Sequence, residues 1–161
     1  APSAFALSRQ NLPTLDPDSV PDDAIERGAY VLRDADGGEP ELILMGTGSE
    51  VSLCLEAADK LAADGVAVRV VSMPCMDTFT RADQSYRDEV LPPSVRARVA
   101  VEAAVQLGWD RWIGPDGAFV GMDTFGESGP APEVYEHFGI TAERTAELGR
   151  EVLDRVGARS G

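Results

Sequence analysis

Few side chains in this sequence could carry chemistry. His137 is the only histidine, and Cys54 and Cys75 are the only cysteines. Catalysis of the Ser–His or Cys–His kind would rest on that one imidazole, and a structural zinc site would lack ligands. His137 stands just before Phe138-Gly139 and reads as a residue that caps or packs at a helix end. The cysteines have no CxxC spacing, and a chain of 161 residues needs no disulfide framework, so both read as small buried hydrophobes. Asp123 and Glu127 could approach a cation, but two acids without a third ligand are a weak basis for one. Their segment, Asp123-Thr124-Phe125-Gly126-Glu127-Ser128-Gly129-Pro130, reads as a loop shaped by its glycines and proline, with Ser128 or Asp123 capping the next helix.

Two further places could hold an anion. In Gly46-Thr47-Gly48-Ser49-Glu50, backbone N–H groups at a helix start would point at a ligand. Neither GxGxxG nor GxxxxGK[ST] is present, and Glu50 would repel a phosphate, so a tight turn with a helix cap is the favoured reading. Arg9 follows a short apolar stretch and is flanked by Ser8, Gln10 and Asn11. A guanidinium there could grip a phosphate through two parallel N–H···O bonds. Taken alone, an ion pair with one of the chain's 28 acids is the plainer reading of Arg9. Trp109 and Trp112 read as core, with an interface patch as the alternative.

Lys and Arg number 14 against 28 Asp and Glu, a formal net charge of −14. Nucleic-acid backbones and anionic membrane surfaces would be repelled, which still leaves room for one local cationic site. No window approaches the roughly 18 apolar residues of a membrane helix. No basic stretch followed by an apolar one marks a secretory signal, so the expected compartment is the cytoplasm.

The elements that must position these residues alternate along the chain. Residues 4–7 read as a short buried strand, Leu12-Pro13 as a break, and 14–24, rich in Pro and Asp without an apolar period, as linker. Tyr30-Val31-Leu32, Glu41 to Gly46, Val66 to Met73, Arg98 to Glu102 and Ala118 to Met122 read as strands, the longer ones as continuous apolar runs covered on both faces. Val51, Cys54, Leu55, Ala58, Leu61 and Ala62 form the stripe of a helix. Thr47 and Glu50 have capping-box spacing at its start, and Gly65 sits where its C′ residue belongs. Tyr86–Leu91 reads as helical, and Thr141 to Val156 as an amphipathic closing helix. Glu56–Lys60 and Glu151–Arg155 are spaced for i,i+4 pairs. The alternation predicts a three-layer α/β/α sandwich on a mostly parallel five-stranded sheet with one antiparallel strand.

The residues resemble a known family. Ser8-Arg9-Gln10-Asn11-Leu12-Pro13 is similar to the end of the pyrimidine-binding domain of transketolases. Gly28-Ala29-Tyr30-Val31-Leu32, Gly46-Thr47-Gly48-Ser49-Glu50-Val51, Val68 to Pro74, Arg98 to Ala103 and Gly121 to Ser128 resemble the C-terminal domain of the same family, in order, so the match runs from about residue 4 to 155. Cys75-Met76, where a serine is common, and Gly129, where alanine is usual, are small departures. The resemblance implies residues 1–12 as the tail of a preceding domain, 13–27 as linker and 28–161 as the C-terminal domain. It implies a parent enzyme of the pentose phosphate pathway that moves a two-carbon ketol unit from a ketose phosphate to an aldose phosphate. That parent would be a homodimer using thiamine diphosphate and a divalent cation such as magnesium or calcium. Arg9 matches the family arginine that contacts the substrate phosphate. No catalytic, cofactor-binding or metal-ligating residue is implied elsewhere in the chain, so the fragment alone is expected to be inactive and to bind no cofactor. Two rivals differ in class. One is the same domain in another thiamine enzyme, such as deoxyxylulose-phosphate synthase or an oxo-acid dehydrogenase β chain, against which SRQNLP and DTFGES argue. The other is a stand-alone binding or regulatory module.

Overall fold

The computed structural model describes residues 8, 10–37 and 39–160; the strand expected at 4–7, and Arg9, lie outside them. The elements are α1 (Ala24–Arg27), β1 (Tyr30–Arg33), β2 (Leu42–Gly46), α2 (Glu50–Ala63), β3 (Val68–Ser72), α3 (Met76–Arg81), α4 (Gln84–Val90), β4 (Arg98–Val101), α5 (Asp110–Ile113), β5 (Ala118–Val120), α6 (Ala131–His137) and α7 (Ala142–Ser160). The strands lie in the order β1-β3-β2-β4-β5. β1 pairs antiparallel with β3, and the other three pairings are parallel.

All five residues of β2 and of β3 are buried, because helices cover both faces of the sheet. Successive side chains alternate between two cores, as the period of a strand requires. Leu42, Leu44, Val70, Val99 and Val101 pack under α2 and α7, with Cys54, Leu61, Ala146 and Val152. Ile43, Met45, Val71 and Ala100 pack under α3, α4 and α5, with Phe79, Val90, Trp109 and Trp112. The result is the three-layer sandwich. α2 ends in a Schellman motif: the Gly65 N–H donates to Ala62 O at 2.9 Å and the Val66 N–H to Leu61 O at 3.1 Å, with Gly65 at φ +85°.

The segment expected to be plain linker holds a 3-10 turn at Pro17–Ser19 and α1, and its Leu15, Val20 and Ala24 pack onto the first core. Neither i,i+4 pair is the contact that forms. Lys60 bridges to Glu143 of α7 at 2.8 Å. Glu151 is reached by Arg144 at 3.1 Å, and Arg155 donates to the Asp116 carbonyl at 3.2 Å. An i,i+4 pair on a solvated helix gives only about 0.2–0.5 kcal/mol, so another partner, on the same helix or a neighbouring element, readily displaces it.

Arginines close the amino ends of the parallel strands. Arg98 donates to the carbonyls of Val95, Trp112, Leu91 and Pro92 at 2.8, 2.9, 3.1 and 2.8 Å. Arg69 grips both oxygens of Asp34 at 2.8 Å and the Glu89 carbonyl, near the end of α4, at 2.7 Å. Arg96 holds the buried Asp116 at 2.7 Å.

Candidate functional site at the carboxyl edge

β2 and β4 are neighbours, yet β2 continues into α2 on one face and β4 into α5 on the other. The crevice outside their carboxyl ends is therefore a topological switch point, where α/β sheets place ligands. It is bordered by Gly46–Ser49, by 102–108 after β4, and by 121–130 after β5.

The Gly46–Glu50 turn is close-packed. A Cβ on Gly46 would meet Cys54 Sγ at 3.0 Å and Val51 N at 3.1 Å, so only glycine lets strand and helix approach this far. The first N–H groups of α2 are already used: Glu50, Val51 and Ser52 donate to the carbonyls of Thr47, Gly48 and Ser49 at 3.2, 3.4 and 3.3 Å. The capping box expected from Thr47 and Glu50 does not form. Ser49 is the residue preceding the helix, its backbone is already helical, and it makes no side-chain cap. Glu50 is instead only 5% exposed, and its carboxylate accepts from the Ser49 hydroxyl at 2.7 Å and from Tyr135 Oη of α6. Burial, followed by the hydrogen bond to Glu50, pushes the Tyr135 phenol above its ordinary value of 10.0; hydrogen bonds with Ser49 and Gln10 act the other way. With these three N–H groups engaged and the Glu50 carboxylate beside them, the helix start disfavours a phosphate or diphosphate.

Gln10–Pro13 line a groove of about 430 Å³ with Ser49, Ser52 and Tyr135, so the N-terminal segment lies against this edge. On the other side, Glu102 accepts the Trp109 indole N–H at 2.7 Å. The two neighbouring loops are joined by the Met122 N–H to the Ala104 carbonyl at 2.9 Å. These loops expose Val105 (51%), Leu107 (86%) and Phe125 (96%).

The remaining candidates sort as follows. Trp109 and Trp112 are core residues; Trp112 tilts against Phe79 at 4.9 Å, and its buried indole N–H finds no hydrogen-bond partner among the described residues. His137 is the last residue of α6, exposed, with its ring edge-on to Phe138. Asp123 and Glu127 are exposed, and no group of three or more metal-ligating side chains gathers among the described residues. Neither Ser128 nor Asp123 caps α6, whose N-cap is Pro130. Cys54 is fully buried, which pushes its thiol upward. Cys75 corrects the expectation of a buried hydrophobe: it is half-buried, and its Sγ accepts from the Thr78 hydroxyl at 3.2 Å. That bond, with the backbone N–H of Thr78, lowers its pKa. The Glu50–Tyr135 link was missed in the sequence. Its one signal is that Glu50 falls four residues before Cys54, in register with the buried stripe of α2.

Fold and edge together define a doubly wound α/β domain with its loops gathered at a switch point. The family model of the transketolase-like C-terminal domain matches residues 28–141, and the chain belongs to that family. It is 50% identical over 153 residues to transketolase 2 of Vibrio vulnificus, covering 94% of this chain and 23% of that protein. It is 48% identical over 159 residues to transketolase 2 of Escherichia coli, covering 98% and 23%. Among solved structures it resembles transketolase from Pichia stipitis in complex with sedoheptulose-7-phosphate (TM-score 0.80, 33% identity, 91% of this chain and 20% of that one). Transketolase from Leishmania mexicana is also similar (TM-score 0.76, 41% identity, 83% and 19%). The chain thus spans about a quarter of the curated relatives it matches. No helix among the described residues is long and apolar enough to cross a membrane.

Proposed function

We propose that this chain serves as the C-terminal part of a transketolase, a homodimeric cytoplasmic transferase of the pentose phosphate pathway. Such an enzyme moves a two-carbon ketol unit from a ketose phosphate to an aldose phosphate. The observation that carries this reading is identity of about half over 94–98% of the chain to proteins named transketolase. Thiamine diphosphate and a divalent cation supply the carbanion chemistry in that reading. The start of α2 does not fit a diphosphate, so these groups are assigned to the rest of the enzyme and no step is given to residues 28–161. Residues 1–12 belong to the preceding domain and 13–27 to the connection, which the packing of Leu15 and Val20 ties to the body that follows.

The one substrate contact assigned here is Arg9, through a charge-assisted pair of hydrogen bonds to the sugar phosphate. In the full-length enzyme, Arg9→Ala should lower kcat/KM for phosphorylated donors by about 2 kcal/mol, roughly 30-fold. Donors without a phosphate should be almost unaffected, and equal losses on both would refute the role. Calorimetric titration of the 161-residue chain with thiamine diphosphate should give no heat of tight binding; a tight site would overturn the assignment of cofactor to the rest of the enzyme.

A further inference from the structure

We infer that Tyr135 is a positioning residue: with Glu50 and Ser49 it holds the Gln10 side chain, and through Gln10 it sets how the neighbouring Arg9 meets a sugar phosphate. The inference rests on the role given to Arg9 above.

A buried carboxylate starts the chain of contacts. Glu50 lies in the first turn of α2, almost wholly buried, and an anion in that setting needs donors. It takes two on the same oxygen, Oε1: the Ser49 hydroxyl at 2.7 Å and Tyr135 Oη. A hydroxyl has one proton to give. With both protons committed to Glu50, the Ser49 and Tyr135 oxygens, 3.4 Å apart, can only accept from a third group. The groove that they line therefore suits a donor, and Gln10 lines the same groove with an amide that supplies one. Its hydrogen bond with Tyr135 opposes the rise in the phenol's pKa, as a donor to the phenol oxygen does.

The phenol is a fixed point, not a follower of the segment. Its ring packs against the core under α2 and α7, and the Ile140 N–H donates to the Tyr135 carbonyl at 2.9 Å where α6 ends. On the other side, Gln10 alone among the described residues from 8 to 14 is withdrawn from solvent; Ser8 and residues 11–14 are all exposed. The segment is thus anchored at Gln10. Arg9 is the next residue in the chain, its Cα about 3.8 Å away across a trans peptide. A two-point grip on a phosphate needs the guanidinium fork at a set angle, and a side chain that must be ordered on binding loses rotamer freedom. Fixing Gln10 limits the directions from which the Arg9 side chain can start, so part of that ordering precedes the substrate.

Steady-state kinetics of the full-length enzyme, with phosphorylated and unphosphorylated ketose donors, tests this. Tyr135→Phe keeps the ring and removes the oxygen shared by Glu50 and Gln10. The ratio of kcat/KM for phosphorylated over unphosphorylated donors should fall about fivefold, mostly through KM. Gln10→Met keeps the length of the side chain and leaves Glu50 and Tyr135 paired. It should lower the ratio by as much, and the double variant should fall no further than either single one. In an Arg9→Ala background neither substitution should move the ratio. A ratio unchanged in Gln10→Met, or a fall that persists undiminished without Arg9, overturns the positioning role. So does a Tyr135→Phe enzyme that loses activity on both donors alike, the mark of a purely structural residue. If Arg9→Ala itself costs both donors equally, the reading of Arg9 fails first and the positioning role with it.

Discussion

The amino and carboxyl ends of the parallel strands are finished with different chemistry. At the amino end, Arg98, Arg69 and Arg96 reach across loops and helix ends to carbonyls and to Asp34 and Asp116. A guanidinium offers five donors in a rigid fork, which suits it to places where several orphan carbonyls converge. At the carboxyl end the buried charges are acids, Glu50 and the half-buried Glu102, each satisfied by a neutral donor, while Val105, Leu107 and Phe125 face outward. The chain's excess of acid therefore conceals a division of labour. Cations lock one end of the sheet, and at the other end large apolar side chains face outward.

The largest effect should come from breaking the locked end. Arg98 is mostly buried, which holds its pKa below the usual arginine value, and it satisfies four carbonyls on three stretches of chain. Arg98→Met keeps the apolar stem and removes every donor. A loss of about 3 kcal/mol is expected from several under-satisfied carbonyls, read as a lower urea midpoint with an unchanged slope. A loss under about 0.5 kcal/mol would mean that water replaces the guanidinium without cost.

Arg69 should follow, with about 2 kcal/mol lost in Arg69→Met, and its partner adds a pH signature. Burial alone would raise the Asp34 pKa, but the Arg69 hydrogen bonds, the Ala35 N–H and the Arg69 charge outweigh it, so the net shift is below 3.8. A carboxyl lowered in the folded state stabilises above its unfolded pKa and loses that contribution as pH falls through the folded one. Wild type should therefore lose more stability than Asp34→Asn on going from pH 5 to about pH 3. Parallel melting curves for the two over that range would contradict the pair's role.

The contrast between the two ends also explains what the sequence could reveal. β2, β3 and β4 are covered on both faces, so they are written as mainly apolar runs, broken only by Arg69 and Ser72 in β3 and by Arg98 at the start of β4, and α2 carries its stripe because one face alone is buried. The short helices were not legible. α3 has six residues and buries only Phe79, too little to establish a period. The arginine clamps were hidden for another reason: Arg69 and Asp34 are 35 residues apart, and Arg96 and Asp116 are 20 apart, with no spacing rule to join them. Cys75 reads as apolar by type, and only the geometry of Thr78 makes it polar. Arg9 stands out in the sequence because cations are few, whereas Tyr135 becomes meaningful only when α6 brings it to Glu50.

A smaller effect should come from the one polar link that crosses the carboxyl edge. Tyr135→Phe leaves the buried Glu50 carboxylate with the Ser49 hydroxyl as its remaining side-chain donor, for a loss of about 1 kcal/mol. The phenol's pKa is raised, so its contribution is present below the unfolded value near 10 and is lost as pH rises through the folded one. Difference in stability between wild type and Tyr135→Phe should accordingly shrink in alkali above pH 10. A difference that persists there would assign the loss to packing instead of the hydroxyl.

The smallest effect tests the comparison most directly. Leu107 and Phe125 are large enough that burying either would stabilise by about 1.5–3 kcal/mol, yet in this chain they touch little but water. Leu107→Ser and Phe125→Ser should each change the stability of the 161-residue chain by less than about 0.5 kcal/mol, as measured by urea unfolding. Phe79→Ala, at a fully buried aromatic, should cost about 3–5 kcal/mol and calibrates the assay. If a serine at 107 or 125 destabilised the isolated chain appreciably, these side chains would be serving their own domain, and the carboxyl edge would be closed like the other end.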